Sequence, residues 1–466
     1  MKKNEELAKN TLIISIGKLC TQFLSFILLP LYTAVLTTEE YGTVDLISTY
    51  VQLLLPVLIL QVDQALLRFV IDDRKNKEKI RTKISSVVLF LLVQFVILTI
   101  IYVVSTKFIT FQFSKYLYFT LIITSVSSVA LQIARGIGDN VAYSFASFLC
   151  GAGTVICNVI FITVFHLRTE GMLLSVIIGN LLTVVYLFFK LKIREYLSIS
   201  SFNREMLKEM LVYSIPLVPN ALIWWVVNAS DRTIVLWSLG AAANGILAIS
   251  HKFPTLITTL YNIFHISWTE SAALHLKEND RDAFFSSVFD TVFRIFSAAS
   301  IGLIAVMPFV FSLLINKNYA DAYYQIPIYT YASLFNVIVG LYSVIYISEM
   351  KTSEIAKTSL YSGIINIVIN FMLIKRIGLY AASISSVFAF GVMALYRARD
   401  IKKYINHKID YKLMFVTLIM LIVVSLSYYS NNLFAKIVSL FVSIVYSFAI
   451  NRALLNKIII KIIRRK

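Results

Sequence analysis

Nine ionisable residues lie within long apolar stretches of the chain. If those stretches cross a bilayer, each ionised side chain costs roughly 2.5–3.5 kcal/mol. Such residues usually face the interior of a helix bundle or a wet path, where they can bind an opposite charge or carry a proton. The basic members are Lys18, Arg68, Arg232, Lys252 and Arg294, and the acidic members are Asp45, Asp63, Asp231 and Asp290.

The two acidic residues of the second apolar stretch are spaced to share one helix face. Asp45 and Asp63 are 18 residues apart, which is five full turns at about 3.6 residues per turn. Pro56 lies between them and would blur this alignment by kinking the helix. At about 1.5 Å per residue, Lys18 and Asp63 would both lie ~10 Å deep, so pairing across neighbouring helices is feasible.

Two interpretations of these charges stay open, structural ion pairs and a path for substrate or ions. The four-residue spacing of Asp290 and Arg294 favours a structural pair on one helix. Lys18 and Asp63 fit both interpretations equally.

The second half of the chain holds two basic residues without an obvious sole acidic partner. Arg232 is one of them, because Asp231 is expected to point away from its neighbour, and Lys252 is the other. Since a buried unpaired cation is costly, both are predicted to face a polar path.

Other reactive side chains are interpreted as structural. His251 and His265 have no partner at metal-ligand spacing, and Cys20, Cys150 and Cys157 lie inside apolar runs without paired spacing. This pattern predicts no disulfide, no metal site and no cofactor.

Prolines mark where the helices carrying these charges should be interrupted. Pro216 and Pro219 are predicted to break the start of the seventh apolar stretch, and Pro254 the start of the eighth. Broken helices often line polar paths through membranes.

Composition identifies the elements that must position these residues. Of 466 residues 58% are apolar and only 15% are charged, against ~25% charged in a soluble domain. A soluble domain, a disordered chain and a nucleic-acid binder are therefore excluded. Hydropathy predicts an all-α polytopic membrane protein with fourteen spans. They cover residues 11–36, 42–69, 84–105, 115–135, 141–165, 171–189, 210–237, 242–265, 284–315, 324–348, 356–374, 379–396, 413–430 and 433–451.

The basic residues predict the orientation of the chain. With both termini in the cytoplasm, 31 of the 43 Lys and Arg residues fall in inside segments and 7 in outside segments. Cytoplasmic segments of membrane proteins carry such an excess. The net charge of +18 is therefore mostly a sign of topology.

The chain contains signs of an internal repeat. Gly42 and Gly245 end similar turns 203 residues apart, and Asn158 and Gly171 reappear as Asn366 and Gly378 at offsets of 208 and 207. Six spans per repeat is an even number, so the halves would be parallel and related by an axis along the membrane normal. We predict lobes at 1–195 and 196–400, followed by 401–466 with the last two spans and a basic tail.

Motifs typical of enzymes and ATP-driven pumps are missing from the sequence. It has no Walker lysine loop, no H-E-x-x-H and no G-x-S-x-G, and the predicted outside loops are short. These observations argue against a membrane glycan polymerase or ligase.

Several motifs resemble Wzx-type polysaccharide repeat-unit flippases, which belong to the multidrug/oligosaccharidyl-lipid/polysaccharide exporter superfamily. The similar stretches are Glu40-Tyr-Gly42 with Asp45, Asp63-Gln-Ala-Leu-Leu-Arg-Phe69, and Asn228-Ala-Ser-Asp-Arg232 followed by Gly240, Gly245, Lys252 and Trp268. One departure is Leu60-Gln-Val62, where relatives often have a glycine.

The resemblance implies two six-helix lobes in a V shape around a central cavity, with two C-terminal helices flanking a groove for a lipid tail. It implies a flippase that moves undecaprenyl-diphosphate-linked oligosaccharides across the bacterial cytoplasmic membrane by alternating access, for capsule, O-antigen or exopolysaccharide assembly. Partners would be membrane lipid, a polysaccharide polymerase, a chain-length regulator and a coupling ion, H⁺ or Na⁺. The basic residues would receive the diphosphate, and Asp63 or Asp231 would hold them or carry a proton. An ion-coupled drug antiporter is the alternative, although it would suit twelve spans better than fourteen.

Overall fold

The computed structural model describes residues 26–108, 111–276, 278–406 and 410–463, so Lys18 and Cys20 lie outside the described residues. The described chain is helical and contains no β-strand. Its helices are α1 Leu29–Val35, α2 Thr38–Leu58, α3 Val62–Asp72, α4 Lys77–Ser105, α5 Ser114–Ile137, α6 Asn140–Thr163, α7 Arg168–Lys190, α8 Arg204–Ser214, α9 Leu217–Leu239, α10 Ala241–His275, α11 Arg281–Leu314, α12 Asp321–Ser348, α13 Thr352–Ile377, α14 Tyr380–Asp400, α15 Tyr411–Tyr429 and α16 Leu433–Ile463.

Twelve of the described helical segments are long and apolar enough to cross a membrane. The chain is therefore an all-helical, multi-pass membrane protein, as the sequence predicts. Helix α10 is not among the twelve; it carries Asn244, His251 and Lys252 along its first half. The first predicted span lies mostly outside the described residues, so the count of fourteen stays a prediction.

The prediction of one continuous second span is wrong. Helix α2 ends at Leu58 and α3 begins at Val62, because Leu60 and Gln61 adopt positive φ values of 49° and 55°. A helix cannot continue through two left-handed residues. The five-turn alignment proposed for Asp45 and Asp63 therefore does not hold.

The predicted proline breaks have different outcomes. Pro216 lies between the end of α8 at Ser214 and the start of α9 at Leu217, where a break was expected. Pro254 lies inside the continuous helix α10, so the predicted break there is wrong.

The two turns of the sequence repeat occupy equivalent structural positions. Thr37 is the N-cap of α2 and Gly240 is the N-cap of α10, again 203 residues apart. Thr37 and Glu40 form a reciprocal capping box, in which the Glu40 N–H donates to Thr37 Oγ1 at 3.2 Å. Gly240 instead has φ 89°, a value that glycine adopts without steric cost.

A distant arginine joins the first of these turns. Arg168 Nη2 donates to Glu40 Oε2 at 2.7 Å and to the Val35 carbonyl at 3.0 Å. The start of α7 is thereby attached to the turn between α1 and α2.

The chain divides into two compact units, Met1–Ala229 and Ser230–Lys466. In the first unit, α6 and α7 are in close contact: a Cβ atom on Gly179 would lie 2.1 Å from Thr154 Oγ1 and 2.6 Å from the Cys150 carbonyl oxygen. Small residues allow such close approach of membrane helices.

In the second unit, the C-terminal helices pack against α11, and α15 also contacts α12. Tyr323 on α12 and Tyr428 on α15 stack with ring centroids 4.1 Å apart. Each hydroxyl donates to the other residue's carbonyl, at 3.2 Å and 2.6 Å. This reciprocal contact attaches α15 to α12.

Candidate functional site

A buried polar cluster surrounds Asp231 in the second unit. Asp231 is only 3% exposed. Its Oδ2 atom lies 3.3 Å from His251 Nε2 and accepts a hydrogen bond from the Tyr329 hydroxyl at 3.4 Å. Its Oδ1 atom accepts from the Arg232 backbone N–H at 2.9 Å. Helices α9, α10 and α12 each contribute one side chain, so the cluster forms only where these three helices pack together.

The imidazole of this cluster is held on two sides. The His251 ring lies 3.7 Å from the Tyr329 ring, centroid to centroid, and its Nε2 faces the Asp231 carboxylate. A carboxylate beside an imidazole can hold or release one proton between them. The arrangement therefore places a carboxylate and an imidazole side by side inside a membrane-spanning unit.

The sequence interpretation of His251 as structural missed this pair. A signal is present in the numbering: Asp231 precedes the Gly240 turn by nine residues, and His251 follows it by eleven. Adjacent antiparallel helices joined by a tight turn bring such residues to similar depth. What the sequence does not show is that both side chains turn toward each other.

The expectation that Asp231 points away from Arg232 is wrong. Arg232 Nη1 lies 3.9 Å from Asp231 Oδ1, and the Arg232 side chain is mostly buried. Lys252 is half-buried, and both basic residues have interaction partners within the protein. Whether they face a substrate path stays a prediction.

Asp63 forms a second buried site, in the first unit. It is 4% exposed, and its Oδ2 atom accepts from Ser128 at 2.7 Å and from Gln64 at 3.0 Å. Its Oδ1 atom is buried and has no hydrogen-bond partner within the described residues. The predicted partner Lys18 lies outside those residues, so that pairing remains a prediction.

The other predicted residues lie apart from these clusters. Arg68 forms an exposed salt bridge of 2.5 Å with Asp72, one turn further along α3. Asp45 is half-buried on α2. Both keep their predicted roles only as hypotheses.

Arg294 lies on α11 at the junction with the C-terminal helices. Its Nη2 atom is 3.4 Å from Asp410 Oδ2, and its Nη1 atom donates to the Ile450 carbonyl at 3.2 Å. Asp290 interacts with it electrostatically. The arginine thus joins α11 to α16 and the start of α15, in addition to the expected partner on its own helix.

The sequence predicts that the twelfth span ends at residue 396, and this end is too early. Helix α14 continues to Asp400, and Arg397 is 0% exposed. Its guanidinium donates to Thr358 Oγ1, Ser343 Oγ and the Val339 carbonyl. Hydropathy counts Arg397 as a charge that ends a span. It does not show that hydroxyl groups on α12 and α13 accept hydrogen bonds from the guanidinium.

In the described part of the chain, no three His, Cys, Asp or Glu side chains converge as metal ligands do. The long apolar helices that carry these buried charges define the chain as a polytopic membrane protein.

Comparison with known protein families identifies the family of the chain. Residues 7–268 match the model of the polysaccharide biosynthesis protein family. Because this match covers more than half of the chain, the protein belongs to that family. No curated protein sequence matches it.

Solved structures with the same fold are distant in sequence. The lipid II flippase MurJ in its inward closed conformation is 14% identical, with a TM-score of 0.67 over 96% of this chain and 100% of its own. An inward-facing multidrug resistance MATE family transporter of the MOP superfamily is 13% identical, with a TM-score of 0.65 over 84% and 98%. A MOP superfamily transporter from Pyrococcus furiosus is 14% identical, with a TM-score of 0.56 over 85% and 95%. These similarities concern the fold alone, which is the fold that the resemblance of the sequence motifs implies.

Proposed function

We propose that this protein is a flippase for undecaprenyl-diphosphate-linked oligosaccharides and works by alternating access in the bacterial cytoplasmic membrane. The observation that carries the proposal is membership of the polysaccharide biosynthesis protein family. The fold it shares with a lipid II flippase over nearly the whole chain supports the same activity. The product would feed capsule, O-antigen or exopolysaccharide assembly, with a polymerase and a chain-length regulator as partners.

The substrate headgroup needs positive charge on its way through the membrane. A diphosphate crossing a low-dielectric region is stabilised only if basic groups replace its lost hydration. We assign this role first to Arg232 and Lys252, and then to Lys18, Arg68 and Arg294. Arg232 can contact a phosphate with two parallel N–H groups, whereas Lys252 supplies a point charge.

In this proposal, the charge of Asp231 determines whether Arg232 is available to bind the diphosphate. While Asp231 is ionised, it attracts both the imidazole of His251 and the guanidinium of Arg232. A proton or sodium ion arriving at this carboxylate would release Arg232 toward the diphosphate. This links ion binding to substrate binding through one side chain.

An ion-coupled drug antiporter is the second candidate, because the MATE transporter shares the fold. Its similarity covers 84% of this chain, whereas the flippase similarity covers 96%. The family match concerns polysaccharide biosynthesis, so we place the antiporter second.

Liposomes test the proposal directly. The purified protein is reconstituted with an undecaprenyl-diphosphate-linked oligosaccharide, and a glycosidase added outside reports which oligosaccharides have crossed. We expect crossing well above that of protein-free liposomes. Equal rates in both would contradict the proposal, and gradient-driven efflux of a cationic dye instead would support the antiporter.

Variants in the same liposomes test the assigned cations. Arg232→Gln and Lys252→Gln should each abolish crossing at normal membrane levels, and Arg232→Lys should keep part of it if charge alone is required. Lys375→Gln, at the exposed end of α13, is the matched control and should be fully active. Full activity of the double glutamine variant would refute the assignment.

A further inference from the structure

One face of α14 combines exposed apolar, aromatic and basic side chains in a single stripe. Val392, Leu395, Tyr396, Arg399 and Lys403 follow spacings of three and four residues, which keep them on one side of the chain as α14 passes into its last turn. They line a surface depression of about 540 Å³ together with Asp400. The stripe passes from apolar to aromatic to basic toward the end of the helix.

Within the described residues, no acidic side chain pairs with Arg399. Arg399 is exposed and has no ion pair or side-chain hydrogen bond with any residue in the described part of the chain. Lys403 pairs with Asp400 at 2.5 Å yet stays 71% exposed. The Asp400 carboxylate also accepts a hydrogen bond from the buried Tyr346 hydroxyl at 2.9 Å. This bond fixes the position of the carboxylate. At the depression, the Arg399 guanidinium therefore has N–H donors that no described residue occupies. The Lys403 ammonium is positioned by Asp400.

The apolar part of the stripe extends away from these charges. Phe388 lies one turn before Val392 and is largely exposed, as are Leu360 and Ile364 on the adjacent helix α13. In a membrane-spanning helix such exposed side chains contact acyl chains. Lys357, also on α13 and exposed, is close enough to interact with Tyr396, so the basic end of the stripe spans two helices.

We propose that this face binds an anionic phospholipid, with the phosphate on Arg399 and Lys403 and an acyl chain along Leu395, Val392 and Phe388. A guanidinium binds phosphate through two parallel hydrogen bonds, and basic residues next to a membrane attract anionic headgroups. The apolar surface continuing along the same helix face fits a lipid better than a free phosphate ion. The site lies on the second unit alone, and its existence does not depend on the substrate of the flippase.

The location implies a structural consequence of lipid binding. Arg397, two residues from Arg399, ties α14 to α12 and α13, and Asp400 ties the same helix to Tyr346 on α12. A phosphate bound at the depression would hold the end of α14 against these two helices. Bound lipid should therefore raise the thermal stability of the protein.

Native mass spectrometry and thermal melting of the full-length protein in detergent test the proposal. Phosphatidylglycerol should bind and raise the melting temperature, and phosphatidylcholine should do neither. The Arg399→Ala/Lys403→Ala variant should bind phosphatidylglycerol about thirtyfold more weakly and lose the stabilisation. The swap Arg399→Lys/Lys403→Arg keeps both charges and should retain binding, which guards against a variant that merely misfolds.

The matched control lies at the corresponding end of α7. Lys190→Ala/Lys192→Ala removes two exposed basic residues from the first unit and should leave phosphatidylglycerol binding unchanged. Equal loss in this control would overturn the proposal in favour of nonspecific attraction. Unchanged binding by the Arg399→Ala/Lys403→Ala variant would overturn it as well, and so would binding of undecaprenyl phosphate with no binding of phosphatidylglycerol. Because the readouts are lipid occupancy and melting, a failed flippase assay would not affect this result.

Discussion

Asp231, His251 and Tyr329 form the most specific chemical arrangement in the described chain. The carboxylate lies within 3.4 Å of both partner side chains; Asp231 and Tyr329 are buried, and the His251 side chain is 21% exposed. In the proposed alternating access, a proton exchanged at this carboxylate would alter contacts among α9, α10 and α12.

Replacing His251 with Gln should remove the dependence of translocation on pH. Glutamine retains a hydrogen-bond donor for Asp231, but unlike imidazole it takes up no proton between pH 5 and 8. We expect a several-fold change in the crossing rate of the wild type over that range and a nearly flat profile for His251→Gln. His265→Gln, on the same helix but against Tyr261, is the control. A pH profile of His251→Gln identical to the wild type would exclude the pair as the proton site.

Arg397→Lys should destabilise the second unit despite conserving the charge. Lysine cannot reproduce the planar set of donors that reaches Thr358, Ser343 and the Val339 carbonyl, so buried acceptors lose their partners. We expect a loss of about 3 kcal/mol, seen as lower membrane abundance and a lower melting temperature. Arg399→Lys, two positions away and exposed, should melt like the wild type in lipid-free detergent. Equal stability of both variants would contradict the role given to Arg397.

At the element scale, the break between α2 and α3 depends on two residues with a left-handed backbone. Leu60 and Gln61 both adopt positive φ. This conformation costs a residue with a side chain roughly 1–2 kcal/mol. The break starts a new helix at Val62 and places Asp63 in its first turn, so the strained backbone positions a candidate functional carboxylate.

Gln61→Gly should be tolerated and Gln61→Val should not. Glycine adopts positive φ freely, whereas a β-branched residue is strongly disfavoured there. We expect the glycine variant to melt at or above the wild-type temperature and the valine variant to lose about 2 kcal/mol. Thermal unfolding in detergent would measure both. A valine variant as stable as the glycine variant would show that the break is not required.

The connection between α3 and α4 depends on a buried lysine. Lys83 is 2% exposed; it donates to the Phe69 carbonyl at 2.6 Å and to the Asp73 carboxylate. The hydrogen bond from Lys83 lowers the pKa of Asp73 below its ordinary value of 3.8. A carboxylate with a lowered pKa stabilises the fold above its unfolded pKa, and this stabilisation is lost as pH falls through the folded pKa.

Asp73→Asn should therefore lower the melting temperature at pH 7, because it leaves the buried ammonium without its anionic partner. The difference from the wild type should shrink as the pH falls below 3.8 and through the lowered pKa of the folded state, where the wild-type carboxylate is also protonated. Asp72→Asn, in an exposed pair with Arg68, should have little effect at either pH. A difference that does not depend on pH would contradict the ionic role of Asp73.

At the scale of the whole molecule, the distribution of basic residues along the sequence predicts which helix ends lie on the same side of the membrane. Lys77 at the start of α4 lies 2.5 Å from Glu195, which follows α7, so these two connections are on one side of the first unit. Hydropathy and the charge count predict the helices, and the turn at Thr37 is recognisable from Glu40 three residues later. The packing of α9, α10 and α12 around Asp231 could not be predicted, because it depends on side-chain directions that periodicity leaves undetermined.

Labelling of single cysteines tests the orientation. In a background without native cysteines, Lys77→Cys, Arg194→Cys and Lys403→Cys should react only with a reagent that enters the cytoplasm. Lys107→Cys and Lys317→Cys should react with a reagent added outside intact cells. Labelling of Lys77→Cys and Lys403→Cys from opposite sides would refute the predicted even number of spans between them.

The anchoring of the first turn by Arg168 also constrains the order of events during synthesis. Glu40 leaves the ribosome 128 residues before Arg168, a delay of about 6–25 s at typical rates of translation. Through that interval the turn between α1 and α2 relies on the local bonds between Thr37 and Glu40. The capping box of Thr37 and Glu40 thus holds the turn between α1 and α2 in place until α7 is synthesised and Arg168 binds Glu40.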